Sequence, residues 1–282
     1  MNVTACILIH GAPAFFEAGR ETVLSVLRHT PFDVFVAHDG NHPLDLPASP
    51  RLTLHALQPL PTDAHRARRF LQKFNALAAL LPDNRQDAII LLDADTVVTR
   101  RFNAQTVRRA LGHAAIGMVE QTGITGSTMS RGDFLDHYTR HTLALLDPDR
   151  TPPPLDRFRY FNSGVVIGLR DEWARLVPWA LETIRRQAGD HQIGNHMIAD
   201  QDYFQYWTNT LNPGCCTELP WYWNHCEHWD ADFPRPDVLI AHFSNFCNGP
   251  TPGTPARMRS LSTTPRWKRR LRGLLGATTV NP

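Results

Sequence analysis

Apolar blocks of strand length alternate with segments of helical period along most of this chain. Val3–Ile9 is a short apolar run closed by His10-Gly11-Ala12-Pro13, a strand and then a turn. Glu17–His29 follows at helical spacing, with Val23, Leu24 and Leu27 on one face. Phe32–Ala37 predicts a second strand, ending in His38-Asp39-Gly40. Strand, loop, helix and strand open a Rossmann-like half. Pro43–Pro61 is rich in proline and reads as irregular. Arg66–Leu81 predicts a helix with Phe70, Phe74, Leu77 and Leu81 on its apolar side, stopped by Pro82. In Ile89-Ile90-Leu91-Leu92 four large aliphatics stand in a row, which predicts a strand buried on both faces. Ala115–Val119 and Phe161–Leu169 predict further strands, Glu172–Gln187 and His196–Trp207 helices, and Val238–Ala241 a last strand ending at His242. Thr122–Asp133, rich in Gly, Ser and Thr, reads as a mobile loop, and Pro148–Pro154 as a surface excursion. The pattern predicts an α/β fold, with a mostly parallel central sheet flanked by helices.

Composition narrows the function classes. At 282 residues the chain can form one large domain or two small ones. Hydrophobic content of 42% and charged content of 20% fit a soluble globular protein. A formal net charge of +2 gives no reason to expect a nucleic-acid partner. The cations are almost all arginine; only Lys73 and Lys268 are lysines. Five cysteines with no C-x-x-C make a poor disulfide framework, so a reducing, cytoplasmic setting is expected. Cys215, Cys216, His225, Cys226 and His228 match no standard zinc spacing. The N-terminus does not read as a signal peptide, and no run of 18 apolar residues predicts a membrane span. The first loop has neither G-x-G-x-x-G nor a Walker A pattern, which argues against NAD and P-loop chemistry.

The apolar run at Ile89 ends in Asp93-Ala94-Asp95. Ligands in open α/β sheets lie beyond the carboxyl ends of the strands, and side chains two apart in extended chain point the same way. Asp93 and Asp95 are therefore candidates to face one ion together, and paired hard oxygens suit Mg²⁺ or Mn²⁺. The competing reading is a strand followed by an Asp-rich turn. His242 closes a late strand, where an imidazole can complete such a site, although a histidine there can equally be structural. Asn162-Ser163-Gly164 puts short polar groups beside a glycine that lets backbone approach closely. Asp200-Gln201-Asp202 supplies carboxylate and amide together, or is an ordinary first helical turn favoured by the macrodipole. Leu219-Pro220-Trp221-Tyr222-Trp223-Asn224 suits either a sugar-stacking surface or a core.

In this order and spacing, these pieces resemble the GT-A glycosyltransferases of family 8, the group of glycogenin and the bacterial lipopolysaccharide galactosyl- and glucosyltransferases. The resemblance runs from about Val3 to about Asn248. The family's strand-D-x-D is Leu91–Asp95, its F-N-[ST]-G-[VL] is Phe161–Val165, and its D-Q-D is Asp200–Asp202. Its L-P-x-x-[WY]-N is Leu219–Asn224, and its H-F is His242-Phe243.

The resemblance implies a nucleotide-diphosphate sugar donor, usually UDP-linked, held by Mn²⁺ (or Mg²⁺) on Asp93, Asp95 and His242. It implies donor binding by Lys73, by His10, Gly11, Ala12 and Asp39 at the first two strand ends, by Ala94, Ser163 and Gly164, and by Asn248 and Gly249. It gives Asn162, Asp200 and Gln201 the catalytic positions, with transfer to a hydroxyl of a glycan or glycolipid and retention of anomeric configuration. One departure matters. The family follows H-F with G-x-x-K-P-W, whose Lys contacts the diphosphate, whereas this chain reads Ser244-Asn245-Phe246-Cys247-Asn248-Gly249-Pro250. Asn248, Arg257 and Arg259 are the candidates to replace that Lys. A binding protein that has lost turnover, or a sugar-nucleotide hydrolase or nucleotidyltransferase, are the alternatives. Residues 1–260 are expected to form the transferase domain and 261–282 a basic, apolar tail. There Trp267, Leu271, Leu274 and Leu275 are flanked by cations, suiting an anionic membrane surface, contacted through residues 266–275, a helix docked on the body, or a solvated basic tail.

Overall fold

The computed structural model describes residues 1–58, 70–83, 85–121, 129–188, 199–230, 233–244 and 250–265. The elements run β1 (Val3–Ile9), α1 (Pro13–His29), β2 (Asp33–His38), β3 (Leu52–Ala56), α2 (Gln72–Leu80), β4 (Ala88–Leu92), β5 (Thr96–Val98), α3 (Ala104–Leu111) and β6 (Ile116–Glu120). There follow α4 (Arg131–His137), α5 (Ala144–Leu146), β7 (Phe161–Leu169), α6 (Arg170–Ala188), α7 (Asp200–Tyr206), β8 (Cys216–Glu218), β9 (His225–Cys226), β10 (Ile240–His242) and α8 (Thr254–Thr263).

Seven strands form the main sheet in the order β3-β2-β1-β4-β7-β6-β8. Only β7 runs against its neighbours, so the sheet is mostly parallel. Every residue of β1, β4 and β6 is buried. Alternation along the strands sorts these side chains onto two faces. Ala5, Ile7, Ile9, Ile90 and Leu92 join Phe16, Val23 and Val26 of α1 and Val107 and Leu111 of α3. Cys6, Leu8, Ile89 and Leu91 join Phe74 and Leu77 of α2, Trp173, Leu176 and Ala180 of α6, and Tyr203 and Phe204 of α7. The result is a three-layer α/β/α fold. Each large apolar side chain buried in it contributes about 1.5–3 kcal/mol.

A three-stranded sheet, β5-β10-β9, sits beside the main one. It is covered by α8, whose Met258 and Leu261 pack on Val97, Ala241 and Phe243. The helix runs past residue 260 to Thr263.

Several elements differ from the sequence expectation. Pro43–Pro61 contains β3, an edge strand whose residues are mostly exposed, so no apolar alternation announces it. The segment expected as a loop to Asp133 ends in α4, started by a capping box of Ser130 and Asp133. Strands β5, β8 and β9 are too short to carry a period. The start expected for α2 at Arg66, the start expected for α7 at His196, residues 122–128 and the tail from 266 lie outside the described residues. No described helix is long and apolar enough to cross a membrane.

Candidate active site

The reversed strand β7 explains why distant motifs meet. Its start lies beside the end of β4, with Leu92 opposite Val165, and the Asp93 N–H donates to the Gly164 carbonyl at 2.9 Å. Asn162-Ser163-Gly164 therefore stands next to Asp93-Ala94-Asp95.

The two aspartates are not on extended chain. Asp93–Thr96 is a tight turn, closed by the Thr96 N–H on the Asp93 carbonyl at 3.1 Å. The same-side argument from strand geometry thus fails, and a different device brings the carboxylates together. After the turn, β5 pairs with β10, which sets Thr96 opposite His242, and the Phe243 N–H donates to the Asp95 carbonyl at 2.9 Å. His242 Nε2 then lies 3.3 Å from Asp95 Oδ1 and 3.6 Å from Asp93 Oδ2. The three ligand atoms fall within 4.8 Å of one another. Neighbouring ligands of an octahedral ion with bonds of about 2.1 Å lie about 3 Å apart, so the donor set fits a small divalent cation. Two carboxylates and an imidazole suit Mn²⁺ or Mg²⁺ better than a thiophilic metal. Among the described residues this is the group of His, Cys, Asp and Glu that converges so.

Gly164 is required by contact. A Cβ there would lie 2.1 Å from His242 Cε1 and 2.5 Å from its Nδ1. Behind the ring, His242 Nδ1 lies 3.0 Å from Asn224 Oδ1 and 3.3 Å from Cys226 Sγ. Asn224 Nδ2 donates to Asn162 Oδ1 at 2.7 Å, which also accepts the Gly164 N–H at 2.9 Å.

On the other side of Asp93 stands Lys73, a buried lysine of α2. Its Nζ is 2.5 Å from Asp93 Oδ1 and 2.6 Å from Asp200 Oδ2, and donates to the Ser163 carbonyl at 3.4 Å. The lysine thereby joins the aspartate turn to the first turn of α7. Gln201 is held at both ends of its amide, accepting from the Ser163 N–H at 3.3 Å and donating to Gln121 Oε1 at 3.2 Å. Asp202 also lines the cavity, but both of its oxygens are engaged: it accepts from Thr142 Oγ1 at 2.6 Å and from the Ala199 N–H at 2.9 Å, so it fixes the helix start.

The electrostatics follow from burial. Burial works against the Lys73 ammonium, yet the Asp200 and Asp93 carboxylates outweigh it and raise its pKa above the usual lysine value. Burial pushes the Asp93 carboxyl up, against the pull of Lys73 and His242. For Asp95, burial is outweighed by the His242 charge and hydrogen bond, and its pKa is lowered. For His242, burial is outweighed by Cys226 and Asp95, and its pKa rises well above the ordinary imidazole value. Without a cation, a proton on the imidazole balances the aspartates.

His10, Lys73, Asp93, Ala94, Asp95, Asn162, Ser163, Gly164, Asp200, Gln201 and His242 all line one cavity of about 240 Å³ at the carboxyl edge of the sheet. Gly11, Ala12 and Asp39 do not line it; Asp39 Oδ2 accepts the Gly11 N–H at 2.8 Å and ties the ends of β1 and β2 together. Asn248 and Gly249 lie outside the described residues. Of the candidates for the absent Lys, Arg257 pairs with Glu227 and Arg259 with Glu21, and neither lines the cavity. The aromatic run does not line this cavity either. Trp223 is a core residue packed on Phe102, and Trp221 and Tyr222 are also absent from the cavity wall. Cys226 and His225 have separate partners, His242 and Asp230, and among the described residues the five cysteines and histidines of this region do not converge as a ligand set.

Sequence reasoning missed Leu8, Phe15, Phe70, Tyr160 and Ser244 in the lining. Tyr160 directly precedes Phe161, a position that signals its place, while the apolar residues carry no signal of their own. A larger cavity, about 570 Å³, opens at the opposite ends of β1 and β2 beside Arg51 and Arg85. It gathers no converging set of metal-ligating groups among the described residues.

No protein-family model matches the chain, and no curated protein matches it in sequence. Among solved structures it is similar to the apo structure of WbbM, a bifunctional glycosyltransferase, at 15% identity and a TM-score of 0.54. The match covers 97% of this chain and 52% of that one, so the chain spans about half the length of its structural neighbour. At that identity the likeness concerns the fold. This chain has an α/β architecture shared with a glycosyltransferase and consistent with GT-A, and the likeness does not single out family 8.

Proposed function

We propose that this protein is a metal-dependent glycosyltransferase. It moves a hexose from a nucleotide-diphosphate sugar, UDP-linked by preference, to a hydroxyl of a glycan or glycolipid. The observation that carries this reading is the convergence of Asp93, Asp95 and His242 in one cavity with Lys73, Asn162, Asp200 and Gln201. Their place at the carboxyl edge of the sheet is where open α/β folds bind ligands.

A divalent cation held here would supply Lewis-acid stabilisation of the negative charge on a departing nucleoside diphosphate. Asp93, Asp95 and His242 would hold it. Lys73 locks Asp93 in place and fixes the Asp200 carboxylate near the reacting sugar. Gln201, held by Ser163 and Gln121, presents its amide at a set position, and positioned groups lower the barrier without reorganising. Asn162 has its oxygen committed to Gly164 and Asn224, which leaves its Nδ2 for a ligand hydroxyl. Donor and product share the same anomeric configuration in this reading.

The test is to incubate the protein and Mn²⁺ with UDP- and GDP-hexoses and a panel of glycan and lipopolysaccharide acceptors. Mass spectrometry should show one added hexose, and NMR coupling at the new centre should show an α linkage from an α-linked donor. Release of free hexose with every acceptor would make the protein a hydrolase instead, and a β linkage would remove the retaining chemistry. Peripheral membrane contact through residues 266–275 belongs to the same reading. The full chain should pellet with anionic vesicles at low salt and a chain ending at Thr264 should not. If both stay in the supernatant, the tail is no anchor.

A further inference from the structure

The bonds behind His242 fix its orientation without any choice of side-chain flip. The Gly164 backbone N–H can only donate, so the atom of Asn162 that it meets at 2.9 Å must be the carbonyl oxygen. That oxygen can only accept, so the atom of Asn224 at 2.7 Å from it must be the amide nitrogen. The other end of the Asn224 amide is then its oxygen, 3.0 Å from His242 Nδ1. An amide oxygen cannot donate, so Nδ1 carries a hydrogen, and Nε2 is the nitrogen that offers its lone pair beside Asp93 and Asp95 once a cation displaces the second proton. The competing partner is Cys226 Sγ at 3.3 Å, whose S–H would call for the opposite tautomer. That hydrogen has other acceptors in the Asn224 carbonyl at 3.9 Å and Asn224 Oδ1 at 3.7 Å. Asn224 and His242 are both almost fully buried, so water does not substitute for these bonds.

We infer that Asn224, set by Asn162 and the Gly164 backbone, is a positioning residue that holds His242 in the tautomer able to bind a divalent cation. This rests on the reading that Asp93, Asp95 and His242 form a metal site. It also gives Asn162 a task besides touching substrate. Partners that orient a ligating histidine are worth about 10–100-fold in metal affinity.

The experiment titrates Mn²⁺ into the full-length protein and its variants, followed by electron paramagnetic resonance, with ¹⁵N histidine NMR on the same proteins saturated with diamagnetic Mg²⁺. The parent should bind Mn²⁺ and show His242 as the Nδ1–H form. Asn224→Leu keeps the branched outline but removes the acceptor; it should weaken Mn²⁺ about 10–100-fold. In the same variant the ¹⁵N pattern should move away from the Nδ1–H tautomer. Asn224→Asp keeps an acceptor for Nδ1–H but gives up the donor to Asn162, so it should recover part of the affinity, which a purely structural role does not predict. Circular dichroism and metal-free melting identify any variant that fails to fold, and in that case Asn162→Ser, which loosens Asn224 without removing it, should show the same loss in smaller measure. If the parent binds Mn²⁺ and Asn224→Leu binds it equally well with an unchanged ¹⁵N pattern, the inference is wrong while the metal site stands. If the parent itself takes up no Mn²⁺, the metal reading fails first.

Discussion

Lys73 is the residue on which the site's charge balance turns. It stands between two buried or half-buried carboxylates, and removing one partner of a buried pair leaves the other charge uncompensated. Lys73→Met should cost about 3–5 kcal/mol in urea unfolding of the metal-free protein. Saturating Mn²⁺ should restore part of that loss, because a cation on Asp93 replaces the missing charge. A loss that Mn²⁺ leaves untouched would mean that Asp93 is no ligand. The pH dependence has a definite sign. Asp93 and His242 both have raised pKa values, so each holds a proton at a pH where its free counterpart has begun to lose it. The cation must displace those protons, so Mn²⁺ affinity should rise from about pH 6 to about pH 8. The metal-free fold moves oppositely: a raised His242 pKa contributes stability below the unfolded imidazole value and loses it as pH rises through the folded one. An affinity flat over this range would remove His242 from the ligand set. At this scale the sequence was informative. Asp93, Asp95, His242, Lys73, Asn162, Asp200 and Gln201 meet in one cavity; the acids and His242 stand out at strand and helix ends, whereas Lys73 was named only through the family resemblance. Asn224 and Cys226 were not legible as supports for His242, since what they do depends on a ring that arrives from another strand.

Among the elements, β7 and α7 decide whether the catalytic groups meet. The carboxyl end of β4 was readable as a buried strand closing on two acids. The reversal of β7 was not, because its nine residues are buried almost throughout and carry no mark of direction. The same holds for β5 and β9, whose three or fewer residues each are fixed by pairing and not by propensity, and for the partners of β10, which was expected as a strand but not beside β5. Helix α7 begins at Asp200, with Asp202 holding its start and the buried Thr142 hydroxyl. Asp202→Ala should therefore destabilise the fold by about 1–3 kcal/mol, through the unpaired Ala199 N–H and Thr142 hydroxyl. Asp200→Asn and Gln201→Ala should instead depress kcat for transfer while donor affinity stays near the parental value, the pattern of interactions made in the transition state. Steady-state kinetics with the true acceptor, read beside denaturation curves, separates the two classes. Parental turnover in both Asp200→Asn and Gln201→Ala would place the chemistry elsewhere.

For the whole molecule, the α/β class and the mostly parallel sheet follow from buried aliphatic strands alternating with amphipathic helices. The second sheet does not, yet it brings His242 to the aspartates. The central claim is that this edge of the fold holds a nucleoside diphosphate through a cation on Asp93, Asp95 and His242. It is tested most directly by calorimetric titration of UDP into the protein with Mn²⁺ and with a chelator, repeated for Asp95→Asn. UDP should bind at least about tenfold, or 1.4 kcal/mol, more tightly with Mn²⁺, and Asp95→Asn should lose that gain while melting like the parent. Equal UDP affinity with Mn²⁺ and with chelator would contradict the account.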